Sequence, residues 1–233
     1  QEYWDYSHNW YIGTGWDVQA LTKNKDIVGW ILVVNSTGNV IWSKSIVDPS
    51  YKNRFGGQDG GYTTPFKVIE IDGSGIYITG SSGHYIFDCN GEQVKRGNCL
   101  SLAFNYDGTT KFIANYSEYY KCCHNRYDHE HFAHPGWDAA FDADKNRIYI
   151  LRPQLYIDRT NITTIDATTG AFIRDDMFEV NKSGYNSFNS RSSTFFNISL
   201  NPSNSSELLL SGVESNSMDN DENLIQARYS IAS

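Results

Sequence analysis

Long apolar runs are missing from this chain. The most extended one, Ile27 to Val34, is interrupted by Gly29 and falls far short of the ~20 residues needed to span a bilayer. Basic charge is scarce too. Nineteen Lys and Arg stand against 27 Asp and Glu, for a formal net charge of -8. Without a basic stripe there is little to displace phosphate counterions or to dock on anionic lipid, which argues against nucleic acid and membrane as partners. Helix signals are absent, since no segment joins a 3.6-residue apolar period to convincing caps. Catalytic and cofactor signatures are missing as well. There is no G-x-S-x-G elbow, and the run Gly56, Gly57, Gly60, Gly61 precedes neither a helix start nor Lys-Ser/Thr. The sequence as given opens at Gln1 with neither an initiator Met nor a signal peptide, and a processed mature end or a trimmed chain is expected to look like this.

What is present is aromatic. Phe, Trp and Tyr make up 15% of 233 residues, against 20% charged, so a chain of this length can bury a real core. The segment IVGWILVVNSTGNVIWSKS, from Ile27 to Ser45, reads as strand, tight turn, strand. Trp30 to Val34 is rich in β-formers, Asn35-Ser36-Thr37-Gly38-Asn39 supplies turn chemistry, and Val40-Ile41-Trp42 resumes the strand.

Degraded copies of that phrase follow. Phe66 to Ile71 turns at Asp72-Gly73-Ser74-Gly75 into Ile76 to Gly80, and His84 to Phe87 turns at Asn90-Gly91 toward Val94. Leu100 to Phe104 turns at Asp107-Gly108 into Lys111 to Ala114 as a third unit. Trp137 to Phe141, Asn161 to Ile165 and Phe195 to Leu200 open later hairpins, and Leu224 to Ile231 ends the fifth unit. Unit starts near Val18, Phe66, Leu100, Trp137 and Phe195 give an irregular period of roughly 45 residues, as four-stranded blades require. Gly15-Trp16-Asp17 and Gly136-Trp137-Asp138 open two units in matching position.

On these residues the chain resembles a β-propeller, and ILVVNSTGNVIWSK is similar to the blade hairpins of secreted propeller-repeat proteins. That hairpin lacks the Gly-His and Trp-Asp blade signature of WD40 repeats. The resemblance implies an all-β fold: one five-bladed propeller-like domain over residues 1–233, built of four-stranded antiparallel blades. Residues 1–12, QEYWDYSHNWYI, are then an extended aromatic strand. It would either close the ring beside Leu224 to Ile231 or be donated to a neighbouring molecule.

Cys89, Cys99, Cys122 and Cys123 are the four cysteines. Adjacent cysteines bridge each other only through a strained ring, so Cys122 and Cys123 are each expected to reach back to Cys89 or Cys99, in an oxidising compartment. Asn-x-Ser/Thr sequons fall at Asn35, Asn115, Asn161, Asn181, Asn197 and Asn204, several in turn-like or Ser/Asn-rich stretches. Together these predict a secreted, extracellular glycoprotein.

Candidate chemistry is sparse. His124, His129, His131 and His134 cluster with Asp128 and Glu130 in CCHNRYDHEHFAH, but at no standard zinc spacing. Asp219 and Asp221 lie in an acidic stretch that begins like a calcium loop without its sixth-position Gly. No cofactor is therefore expected, with Zn2+ or Ca2+ as the exceptions these residues would hold. In propeller hydrolases carboxylates ring the axial funnel, which points to Asp17 and Asp138 as an acid and base pair; the competing role is a structural Asp that accepts backbone amides between blades. The tryptophans fill spaces between blades, stack on sugars or anchor interfaces. The favoured expectation is a non-enzymatic structural or adhesive subunit. It would self-associate in an extracellular matrix or filament through Tyr3, Trp4, Tyr6, Trp10 and Tyr11, with itself or extracellular glycans as partners. The alternatives are a carbohydrate-binding lectin and a propeller-type glycoside hydrolase or nucleotidase.

Overall fold

A computed structural model describes residues 2–5, 8–18, 27–46, 61–71, 73, 75–87, 93–116, 136–154, 159–179, 191–216 and 221–231. Every regular element among them is a β-strand. The strands divide between two compact units, Gln1–Gly136 with Thr168–Gly170, and Trp137–Ala167 with Ala171–Ser233.

The first unit holds two antiparallel meanders. β1 (Glu2–Asp5), β2 (Trp10–Val18), β3 (Ile27–Asn35) and β4 (Val40–Ile46) pair in chain order. β5 (Gly61–Ile71), β6 (Gly75–Phe87), β7 (Gln93–Phe104) and β8 (Thr110–Tyr116) do the same. A single parallel bridge, Ile27 to Tyr62, joins the two. Alternation sets the faces. Ile12, Ile31 and Val33 from the first meander pack with Val68, Ile76, Ile78, Leu100, Leu102 and Phe104 from the second. Each buried side chain of this size contributes about 1.5–3 kcal/mol.

The second unit contains β9 (Asp138–Asp142), β10 (Arg147–Gln154), β11 (Arg159–Asp166) and β12 (Phe172–Glu179), followed by the three-stranded set β13 (Arg191–Asn201), β14 (Asn204–Asn216) and β15 (Asp221–Ser230). Its core joins Tyr149, Leu151 and Ile162 to Phe195, Ile198, Leu208 and Leu210.

The all-β, antiparallel expectation holds, but the described strands form four sets rather than five. Leu100 to Ala114 is the second hairpin of the second meander, not a unit of its own. The cause is β6. Its 13 residues run unbroken through Ser81-Ser82-Gly83 and pair with both β5 and β7, where the sequence pattern suggests two short strands. The matched Gly-Trp-Asp openings also part company. Asp17 lies near the end of β2, a second strand, whereas Asp138 begins β9, a first strand. The aromatic N terminus is engaged locally among the described residues. Glu2 to Asp5 pairs antiparallel with Trp10 to Gly13 in a local hairpin, and Tyr3 and Trp10 pack on the first unit's core.

Candidate functional site

The N-terminal hairpin brings a buried carboxylate and an imidazole together. β1 ends on Asp5 and β2 begins at Trp10, so the short turn between them holds His8 close to the carboxylate. Asn9 supports the reversal in a left-handed conformation, φ 57°, which Asn tolerates better than most residues. Asp5 is fully buried. Its Oδ1 accepts the backbone N–H of His8 at 3.2 Å, and its Oδ2 lies 2.8 Å from His8 Nδ1. His8 itself is at the surface, its side chain one-third exposed (33%).

A second turn completes the site. Tyr106, in the β7–β8 turn, places its ring 4.0 Å from that of His8. Trp10 lies 4.7 Å from His8 and meets Tyr106 edge-on at 5.8 Å. The turn is held by Trp42, whose Nε1–H donates to the Tyr106 carbonyl at 2.8 Å. It is tightened by Asp107, whose Oδ1 accepts from the N–H and hydroxyl of Thr109 at 2.8 and 2.6 Å. Those bonds hold the exposed Asp107 carboxyl below its ordinary value. Gly108 is required here: its φ is +82°, and a Cβ would come within 2.9 Å of the Trp42 ring.

An ionised carboxylate is an acceptor only, so Asp5 makes Nδ1 of His8 the donor. Nε2 is then the nitrogen through which the ring takes or gives a proton, while the carboxylate supports the imidazolium that forms. Two aromatic rings beside the imidazole offer apolar faces to a ligand.

The residues expected from sequence fall elsewhere. Asp138 is buried and its Oδ2 accepts the backbone N–H of Ile198 at 3.0 Å, tying β9 to β13; this is the structural role weighed against catalysis. Asp17 belongs to the other unit, and its side chain lies outside the described residues. His124, His129, His131, His134 and Asp219 lie outside them too, as does the Asp221 side chain. Among the described residues no group of three or more His, Cys, Asp and Glu gathers as a metal site.

Cys99 is buried, with Sγ 3.9 Å from Thr79 Oγ1; Cys89, Cys122 and Cys123 lie outside the described residues. Of the sequons, Asn197 and Asn204 are exposed and Asn35 shapes the β3–β4 turn through Oδ1, which accepts the N–H groups of Thr37 and Asn39. Asn115 is half-buried and its Oδ1 accepts from Ser82. Asn161 is a correction: it is buried, and its Nδ2, the atom a glycan would occupy, donates to Asp175 at 2.8 Å. Asn181 and Tyr6 are not described.

Two further polar clusters are internal. On one face of β10–β12, Arg152 donates to Thr163 at 3.0 Å and pairs with Asp175 at 3.5 Å, while Thr163 donates to Asp175 at 2.7 Å. In the second meander the hydroxyls of Tyr77 and Ser101 lie 2.8 Å apart. Burial raises the Tyr77 phenol well above its ordinary value and raises Tyr116 likewise, with nearby Cys99 adding to both. Burial and Asp142 raise Tyr149, and burial with a bond to Asp176 pushes Tyr229 up to about 12.

No family model matches the chain, and no curated protein matches it by sequence. Solved structures to which it is similar include a protein from Lactobacillus plantarum, at 11% identity and TM-score 0.35, covering 96% of this chain and 69% of that one. Sqt1 of Saccharomyces cerevisiae is matched at 8% identity and TM-score 0.32, over 94% of this chain and 58% of that one. The periplasmic gluconolactonase PpgL of Pseudomonas aeruginosa is matched at 8% identity and TM-score 0.35, over all of this chain (100%) and 72% of that one. These are loose likenesses, and the functional argument rests on this chain's own residues.

The expected non-enzymatic, self-associating subunit is corrected. The aromatic segment meant to join molecules is used within its own unit: β1 pairs with β2, Tyr3 and Trp10 pack on the core, and Trp4 meets Tyr11 at 6.1 Å.

Sequence reasoning missed His8. Its signal was Asp-x-x-His between two aromatic runs, with a reversal that brings i and i+3 together. The four histidines between His124 and His134 drew attention away from it, and Tyr106 is remote in the chain.

Proposed function

We propose that this chain is a propeller-type hydrolase of sugar-like substrates, in the glycosidase or nucleotidase class, with its antiparallel meanders as blades. His8 is the general acid and base, working through Nε2. Asp5 is the positioning residue that fixes the ring and its tautomer, and Trp10 and Tyr106 flank the reacting group of the substrate. The observation that carries this reading is the Asp5–His8 pair: a buried carboxylate 2.8 Å from Nδ1 of a surface imidazole that lies against two aromatic rings. Such a pair needs no metal to move a proton. An extracytoplasmic location accompanies the proposal, supported by sequons at the exposed Asn197 and Asn204.

The test is a panel of chromogenic glycosides, sugar lactones and nucleotides, assayed with the wild type and His8→Gln. Turnover of one class, lowered about 10²–10⁴-fold by the substitution, is expected. No turnover across the panel, or equal turnover by folded His8→Gln, would overturn it.

A further inference from the structure

The first meander carries a flat, uncharged aromatic platform on the face turned away from its core. Trp30 lies opposite Gly15 in the β2–β3 register, and Leu32 lies opposite Gly13. A Cβ on Gly15 would stand 2.3 Å from Cζ2 and 2.6 Å from Cε2 of Trp30, and one on Gly13 would stand 3.7 Å from Cζ3. The six-membered ring of the indole therefore occupies the space over both glycines. It lies down along the backbone of β2, while 39% of Trp30 remains exposed. Any larger residue at 15 would lift the ring. On the other flank, Ser45 lies opposite Trp30 and Ser43 opposite Leu32, both exposed. Residues directly opposite in an antiparallel pair share a face, so Ser43 and Ser45 lie on the same face of the sheet as the indole. Ile31 and Val33 point the other way, into the core.

The geometry points to a binding platform for a pyranose residue of a neutral glycan chain, stacked on Trp30 and hydrogen-bonded by Ser43 and Ser45. An indole held flat by glycines presents the broad apolar surface that the C–H face of a pyranose needs. Hydroxyls on the same face give and accept hydrogen bonds, matching the alternating needs of sugar hydroxyls. Among the described side chains Trp30, Leu32, Ser43 and Ser45 form the platform without charge; the neighbouring Lys44 is engaged over the Phe104 ring at 5.4 Å, on the core side. A neutral ligand follows, rather than a phosphate or a uronic acid. The platform stands on observations separate from the Asp5–His8 pair.

Calorimetric titration with cellohexaose, xylohexaose, maltohexaose and chitohexaose tests it, on the wild type, Trp30→Ala, the double variant Ser43→Ala/Ser45→Ala, and His8→Gln. At least one hexasaccharide is expected to bind with Kd in about the millimolar range or tighter. Trp30→Ala should weaken it about tenfold or more, and the serine pair about threefold. Loss of binding in His8→Gln comparable to that in Trp30→Ala would place the sugar at the Asp5–His8 pair and overturn the proposal; turnover is not read, so failure of the catalytic proposal leaves this one intact. Absence of binding by all four sugars overturns the proposal, as does wild-type affinity in folded Trp30→Ala. Sedimentation showing a dimer that Trp30→Ala dissolves also overturns it, because a second copy would then be the occupant. Should Trp30→Ala fail to fold by circular dichroism, unchanged affinity in the serine variant overturns the proposal.

Discussion

Oδ2 of Asp5 and Nδ1 of His8 are 2.8 Å apart, and the two residues differ sharply in surroundings: the carboxylate has no exposed surface and the imidazole faces solvent. A buried carboxylate is costly unless it is hydrogen-bonded. The turn meets that cost twice, through the backbone N–H and the ring of the same histidine. The pair thus stabilises the hairpin and at the same time orients a proton-transfer group.

Gly108 couples the second turn to this site. Gly108→Ala forces a side chain into positive φ and against the Trp42 indole, at a cost of about 1–2 kcal/mol. The urea midpoint of the first unit should fall, and the tryptophan emission should shift as Trp42 and Tyr106 separate. An unchanged midpoint would show that the turn is not docked as described.

Arg152 is nearly buried and shares Asp175 with Asn161 and Thr163. Arg152→Met leaves the carboxylate without its cation and should cost about 3 kcal/mol. Chemical denaturation should show the loss in the transition of the second unit, with Phe195 and Leu208 becoming reactive to solvent exchange together.

Tyr77 and Tyr116 predict alkaline instability. Both phenols are raised above the ordinary value of 10.0, chiefly by burial. The folded chain therefore holds protons that the unfolded chain releases. Their contribution is complete below pH 10 and is lost as pH rises through the folded values. Thermal melts between pH 8 and 12 should show Tm falling above pH 10, with a shallower fall in Tyr77→Phe. A Tm independent of pH in that range would contradict the burial.

Expression in a glycosylating host separates the sequons. Peptide mapping should find sugar at Asn197 and Asn204, which are exposed, and none at Asn161, whose Nδ2 is bonded to Asp175. Occupied Asn161 would mean that β11 and β12 do not pair as described.

Much of the strand pattern was legible because it is local. Asn35 to Asn39 and Asp107-Gly108 both mark turns where the structure reverses. Long strands were harder. Ser81-Ser82-Gly83 looks like a break, yet these residues sit mid-strand because β5 and β7 pair on either side. Reading a break there gives five units where the described strands form four sets. Asp138 showed its polarity in the sequence, but its partner, the Ile198 amide, is 60 positions away. The site was hidden for the same reason: Asp5 and His8 are three residues apart, whereas Tyr106 and Trp42 join them only through packing of two meanders.

The most direct test is nitrogen NMR of the His8 imidazole, in the wild type and in Asp5→Asn. The expected result is a protonated Nδ1 with a downfield, slowly exchanging proton, an unprotonated Nε2 in the neutral form, and loss of that proton signal in Asp5→Asn. A neutral ring protonated at Nε2, or the same spectrum in both proteins, would contradict the proposal that Asp5 sets His8 for proton transfer.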